Sequence, residues 1–379
     1  MYGLIHLYDQ ENRLTAFESG DLDARSTLIF IGGLGDGLCA VPYIDLLPAA
    51  LEEINFSLIQ VLLSSSYSGF GFSSIEKDAH EIRQLLRYLR TIGKSRFVLL
   101  GHSTGCQDII KLFHTQQDPS NSNSLDEILA IILQAPVSDR EYILDTLGEE
   151  TYKRSLQAAQ KLVDTGQANE AIPCEFSDMF SGGRCGISAS RWLSLAQSLQ
   201  DYPEGEDFFS SDLPTKLLTS NLAPVAQKGV AAMVLISGRD ETMSSKVDKE
   251  RLLQHLVEGL TSSSNPDHEH LKAIAEGWSV ILPGAGHQAE EVKQALCTRM
   301  VDFIGAALAW GKCIPGEQVP ARTEAVLLRR RYNVAPGCRK PTSWASGGFA
   351  LADQQASSVP SRYKDMSTAP AVGSKPDRH

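Results

Sequence analysis

The run Gly101-His102-Ser103-Thr104-Gly105 sets a serine between two glycines, after the apolar stretch Arg96 to Leu100 and before helical spacing at Ile109, Ile110, Leu112 and Phe113. A serine hydroxyl is a poor nucleophile until a positioned base takes its proton. A strand–turn–helix puts such a serine on a sharp bend and lifts its hydroxyl above the carboxyl end of a sheet, where ligands bind. The N-terminus of the following helix then faces any developing oxyanion. The chain has nine histidines. His287, in Leu282-Pro283-Gly284-Ala285-Gly286-His287-Gln288, follows the last apolar strand and can reach back over the sheet as the base. His102 adjoins the serine, but its side chain is expected to point elsewhere on the bend; His268 and His270 are expected in a polar, solvated loop. Asp240, in Ser237-Gly238-Arg239-Asp240-Glu241, closes the preceding apolar strand and supplies a carboxylate to orient the imidazole. Glu241 competes for that place, because a one-residue shift of the turn exchanges the two.

Acyl transfer also needs donors for the oxyanion of the tetrahedral intermediate. The backbone N–H of Thr104 is one candidate. The second is the N–H of Leu34, beside Gly33, in the loop Gly32-Gly33-Leu34-Gly35-Asp36-Gly37. That loop does not match G-x-G-x-x-G and no G-K-[ST] follows it, which argues against a nucleotide site. Tyr67, Phe70 and Phe72 lie after a strand and border the site; Gly33, Tyr67 and Phe70 are the expected substrate contacts. Neither a metal centre nor a cofactor is expected.

These residues need a scaffold of alternating strands and helices. Leu4 to Tyr8 and Leu14 to Phe17 predict an opening hairpin. The runs Thr27–Ile31, Phe56–Leu63, Arg96–Leu100, Ile128–Leu133, Ala231–Ile236 and Trp278–Leu282 predict strands. Most are apolar throughout, as in a mostly parallel sheet covered by helices on both faces. Ile82, Leu85, Leu86 and Leu89 mark an amphipathic helix over Ile75–Ile92, and Glu290–Trp310 marks a closing helix. From about 139 to 230 the rhythm breaks into a polar, helix-rich insertion, a cap over the sheet. Its Trp192, Tyr202, Phe208 and Phe209 are candidates for lining a pocket. The main domain spans 1–313, and 314–379 reads as a disordered tail rich in Ser, Pro and Gly. Within the tail, Arg331 to Gly337 faintly resembles a motif of DNA–protein crosslinking proteins, whose N-terminal catalytic cysteine is absent here.

With 379 residues, 42% of them hydrophobic, the chain can bury a large core. A net charge of −11 argues against a nucleic-acid partner, which demands a basic face. No stretch approaches the roughly 18 apolar residues of a membrane span, and the N-terminus has no basic, apolar leader pattern. Seven scattered cysteines without C-x-x-C suit free thiols in a reducing compartment. A cytoplasmic protein acting on a small molecule is expected.

GGLGDGL with VPY (32–43), SSSYSGFGFSS (64–74), GHSTGCQD (101–108) and QAPVSDREY (134–142) together resemble a fungal and plant family of α/β-hydrolases over residues 1 to about 310. The family was long catalogued as a domain of unknown function and includes intracellular esterases of fusarinine-type siderophores. The resemblance implies an α/β-hydrolase fold with an inserted helical cap. It also implies a serine esterase working through an acyl-enzyme with Ser103, Asp240 and His287, and a siderophore ester as substrate. Acyl transfer to another acceptor in secondary metabolism uses the same residues, and a non-catalytic binding protein would keep the fold alone.

Overall fold

The computed structural model describes residues 1–114, 125–181 and 186–310. The expected tail, with the Arg331–Gly337 motif, lies outside them. The described residues belong to one compact unit built on an eight-stranded sheet in the order β1-β2-β4-β3-β5-β6-β7-β8.

The hairpin β1 (Gly3–Asp9) and β2 (Leu14–Gly20) is antiparallel, and β2 runs antiparallel to β4 (Phe56–Val61). From β4 onward the sheet is parallel: β3 (Ser26–Ile31), β5 (Arg96–His102), β6 (Ile128–Gln134), β7 (Ala231–Ser237) and β8 (Val280–Leu282). Strands β3, β4 and β7 are buried at every position, because helices cover both faces and no face is left to alternate toward water.

Helices α2 (Ile75–Thr91), α3 (Thr104–His114), α7 (Thr215–Gln227) and α8 (Lys249–Leu260) cover one face. Their Ile82, Leu86, Ile109, Leu222 and Leu256 share a cluster with Ile29, Ile31, Leu99, Ile131 and Val234. Each such side chain contributes about 1.5–3 kcal/mol by leaving water. The alternate residues Leu28, Phe30, Val98, Ile132 and Met233 point the other way. There they meet α1 (Leu47–Glu52), α9 (Glu269–Trp278) and α10 (Lys293–Trp310). Ser74 caps α2 by accepting from Lys77 N at 3.3 Å, and Asp248 caps α8 by accepting from Arg251 N at 2.9 Å.

Between β6 and β7 stand α4 (Asp139–Asp164), α5 (Cys174–Ser181), α6 (Ala189–Ala196) and α7. The first three hold their own apolar cluster of Ile143, Ile172, Phe176, Ile187 and Trp192, joined by Phe70. Helix α7 packs instead with α3 and α8 in the layer over the sheet.

Several boundaries differ from expectation. The last strand is Val280–Leu282, since Trp278 closes α9. His270 lies in α9 rather than a loop, where Leu271, Ile274 and Ala275 at helical spacing bury one face. Tyr67–Phe72 forms a 3-10 turn rather than open loop. Helix α1, only six residues long, α8 and α9 add to the expected elements.

Candidate active site

Ser103 links β5 to α3 at a φ of 52°, in the left-handed region that non-glycine residues seldom occupy. Such strain persists only where its surroundings enforce it. Here Ser103 N donates to Gln134 O at 3.1 Å, and Cys106 N donates to Ser103 O at 2.9 Å. Gly105 lets the elbow press against β3, for a Cβ there would lie 2.3 Å from Ile31 O. Gly33 plays the same part for the loop after β3: its Cβ would lie 2.7 Å from Ser103 Cβ. The glycines therefore bring the Gly32–Gly37 loop against the serine.

His287 and Asp240 come from the loops after β8 and β7. These loops are laced together by Gly238 N to Leu282 O at 2.9 Å and Arg239 N to Ala285 O at 2.8 Å. The imidazole Nδ1 lies 2.9 Å from both carboxylate oxygens of Asp240. Thr242 fixes that carboxylate, donating from Oγ1 to Oδ1 at 2.7 Å and from its amide at 3.0 Å. Glu241, the competing acid, instead accepts from the His287 amide at 2.9 Å. With Nδ1–H given to Asp240, the Nε2 lone pair is left free to accept a proton.

The electrostatics agree from both sides. Burial alone would raise the Asp240 carboxyl, but the His287 hydrogen bond and charge, with Thr242, hold it below its usual value. Burial would lower His287, and the Asp240 carboxylate outweighs it, leaving the imidazole more basic than usual. His102 is the opposite case. Its buried ring is pushed down to about 3, by burial first and by the charge of His287 second.

His102 does not point away from the site as expected. Its ring centroid lies 4.9 Å from that of His287, and its Nδ1 lies 2.6 Å from Gln134 Oε1. Tyr43 donates to the same oxygen at 3.0 Å, and Gln134 Nε2 donates to His287 O at 3.1 Å. Among the described residues no hydrogen bond joins Ser103 Oγ to the imidazole; Gln134 ties the two segments through its carbonyl and its amide. Sequence reasoning missed Gln134, although it ends the apolar run of β6 at the level of His102. It also missed Thr242, whose signal is a hydroxyl two residues beyond a carboxylate, the pattern of a local side-chain turn.

A narrow cleft opens beside this group, walled by Gly33, Leu34, Phe70, Thr104, Asp108 and Arg191 among others. Ser103, Asp240 and His287 are not among its walls; Gly33 and Thr104, which are, both adjoin Ser103. Asp36 braces the loop by accepting from Gly33 N at 2.7 Å. Among the described residues the amides of Leu34 and Thr104 have no protein acceptor, so both remain available to a ligand. Of the expected substrate contacts, Gly33 and Phe70 line the cleft. Tyr67 does not: it is 55% exposed, and its hydroxyl accepts from Leu38 N at 3.3 Å. Trp192, Phe208 and Phe209 do not line the cleft either. They are buried as core, with Trp192 Nε1 donating to Ser155 Oγ at 3.1 Å and Phe208 against His114. Tyr202 is also not a wall. Among the described residues no group of His, Cys, Asp and Glu could hold a metal ion.

The profile of a family described as "Protein of unknown function (DUF1749)" matches residues 1–309. A UPF0613 protein of Schizosaccharomyces pombe is 33% identical over 304 residues, 75% of this chain and 89% of that protein. Fusarinine C esterase sidJ of Aspergillus fumigatus is 30% identical over 348 residues, 80% of this chain and 96% of the relative. The solved structure of siderophore hydrolase EstB from Aspergillus fumigatus superposes with a TM-score of 0.66 at 28% identity. It covers 81% of this chain and 98% of EstB.

Proposed function

The chain belongs to the DUF1749 family and has the α/β-hydrolase fold, and from that premise we propose that it is a serine esterase. The observation that carries this reading is the pairing of His287 Nδ1 with Asp240 at 2.9 Å, on loops beside an elbow that holds Ser103 at φ 52°. In the reaction, Ser103 Oγ attacks the ester carbonyl carbon as its proton passes to His287 Nε2. The carbonyl oxygen becomes an oxyanion and takes hydrogen bonds from the amides of Leu34 and Thr104. Asp240 offsets the imidazolium charge and keeps the ring in register. Collapse of the intermediate breaks the ester C–O bond, His287 protonates the departing alkoxide, and the acyl group stays on Ser103. Water, deprotonated by His287, then attacks the acyl carbon and releases the acid.

For the substrate, the names of the relatives, a fusarinine C esterase and a siderophore hydrolase, favour a siderophore ester of fusarinine type. The insertion between β6 and β7 supplies Arg191 to the cleft wall and so bears on which ester enters. Incubating the protein with ferric and iron-free hydroxamate siderophores and following the products by mass spectrometry tests the substrate. Stoichiometric labelling by a fluorophosphonate, lost in Ser103→Ala together with ester turnover, tests the nucleophile. Turnover undiminished in that variant, or folded wild-type protein that resists the probe, overturns the reading.

A further inference from the structure

The wall of the cleft formed by the first turn of α3 holds polar side chains that the hydrolytic steps do not use. Thr104 and Asp108 are four residues apart, so they share one face of α3, the first beside the elbow and the second one turn on. Asp78 of α2 and Arg191 of α6 complete this wall. All four side chains are at least nine-tenths buried. Yet Thr104 Oγ1, Asp108 Oδ1 and Arg191 Nε have no hydrogen-bond partner. A buried acceptor left unmatched carries an uncompensated desolvation cost, which a donor ligand would recover at Thr104 Oγ1 and Asp108 Oδ1.

The charges say what kind of ligand. Glu206 already takes the Arg191 guanidinium, with both carboxylate oxygens at 2.6 and 2.8 Å from Nη1. Among the described residues neither Asp78 nor Asp108 makes an ion pair of its own. Besides Asp36 on the loop side of the cleft, this wall therefore presents two carboxyls, with Asp108 Oδ1 unshared and the Thr104 hydroxyl free. We propose that this wall is a subsite for a primary ammonium group of the ester substrate, held by Asp108 and Asp78 with Thr104 Oγ1 as a further acceptor. An ammonium presents three N–H donors on a compact centre, matching these three side chains. A metal ion fits this wall less well, because among the described residues no group of three or more His, Cys, Asp or Glu could hold one. Burial pushes Asp78 up to about 7 and raises Asp108 as well, so binding of a cation here is favoured by, and promotes, loss of their protons.

This inference rests on the esterase reading for the word substrate, but its test does not need turnover. Ethyl esters of ω-amino acids with three to six carbons, and their N-acetyl derivatives, are titrated calorimetrically into the Ser103→Ala protein. At least one amino ester is expected to bind tenfold or more tightly than its acetylated counterpart, and Asp108→Asn in the same background is expected to erase that preference. Equal binding of each pair across the series, or a preference that survives Asp108→Asn, overturns the proposal. Should Asp108→Asn not fold, competition of n-butylammonium against the preferred ester decides, and absence of competition is the refuting result. Ammonium-selective binding without hydrolysis by the wild type refutes the esterase reading alone; hydrolysis without selectivity refutes the subsite alone.

Discussion

Asp240 meets His287 through both carboxylate oxygens and is itself pinned by Thr242, so the ring's tautomer and orientation depend on one acid. Replacing Asp240 by Asn reverses the tautomer that the hydrogen bond selects. On the proposed mechanism it should lower kcat by about four orders of magnitude with little change in KM, as loss of the orienting acid does in catalytic triads. The pH profile follows from the same contact. Only neutral His287 accepts a proton, and its affinity for that proton is raised above the ordinary 6.5 by Asp240. The acid limb of kcat/KM should therefore have its midpoint above 6.5, with activity falling as pH drops through it. In Asp240→Asn that midpoint should move to lower pH. His102 adds no second limb near neutrality, since its ring stays uncharged down to about 3. A stopped assay over pH 4.5 to 9 with a non-titrating ester checks both; a limb that stays in place without Asp240 refutes the coupling. The choice between Asp240 and Glu241 was open in the sequence because adjacent acids on a turn differ only by rotation about the backbone. The Asp240–Thr242 turn, and the Glu241 contact with the His287 amide, separate them in space.

At the scale of elements, the elbow depends on β3, β5 and α3 approaching more closely than side chains permit. Gly105→Ala would put a methyl group 2.3 Å from the backbone oxygen of Ile31 and 2.7 Å from that of Gly32, neither of which is a flexible chain end. The variant should lose about 1–3 kcal/mol of stability, the usual cost of overpacking, measured as a lower urea midpoint at unchanged m. It should also lose fluorophosphonate labelling, because the strand and helix must separate. A variant with wild-type stability and labelling would show that the close approach is not required. The parallel strands were legible in sequence because burial on both faces leaves unbroken apolar runs, and the elbow because Gly101, Ser103 and Gly105 sit between such a run and a helical pattern. The short helices were not. Helix α9 begins in Asp-His-Glu-His, polar residues that look like a loop until Leu271, Ile274 and Ala275 are seen to be buried where the helix packs on β7. Nor could residue type reveal that Trp192, Phe208 and Phe209 fill cores rather than the cleft, since burial needs the same apolar surface in either place.

For the whole molecule, the acidic balance of −11 is not only a surface property. Asp78, Asp108, Asp139 and Glu206 gather from α2, α3, α4 and the stretch before α7 around the single guanidinium of Arg191. Positions so distant in sequence carry no mutual spacing, which is why this cluster was invisible before the fold was known. Its cost to folding is set by pH. Burial holds Asp78 at about 7, against an ordinary 3.8, with the nearby Glu81 adding to the rise and Ser65, Ser73 and Arg191 opposing it. Between those values the folded protein binds more protons than the unfolded chain, so stability falls as pH rises and levels off once Asp78 is ionised in both states. Asp78→Asn removes that titration. Whatever its effect at pH 4.5, the stability of the variant relative to wild type should climb steadily from pH 4.5 to about 7.5 and then hold constant. Urea unfolding of both proteins across that range measures the difference directly. A difference that is flat with pH, or that shrinks toward neutrality, would mean that the Asp78 carboxylate is already ionised in the folded cleft.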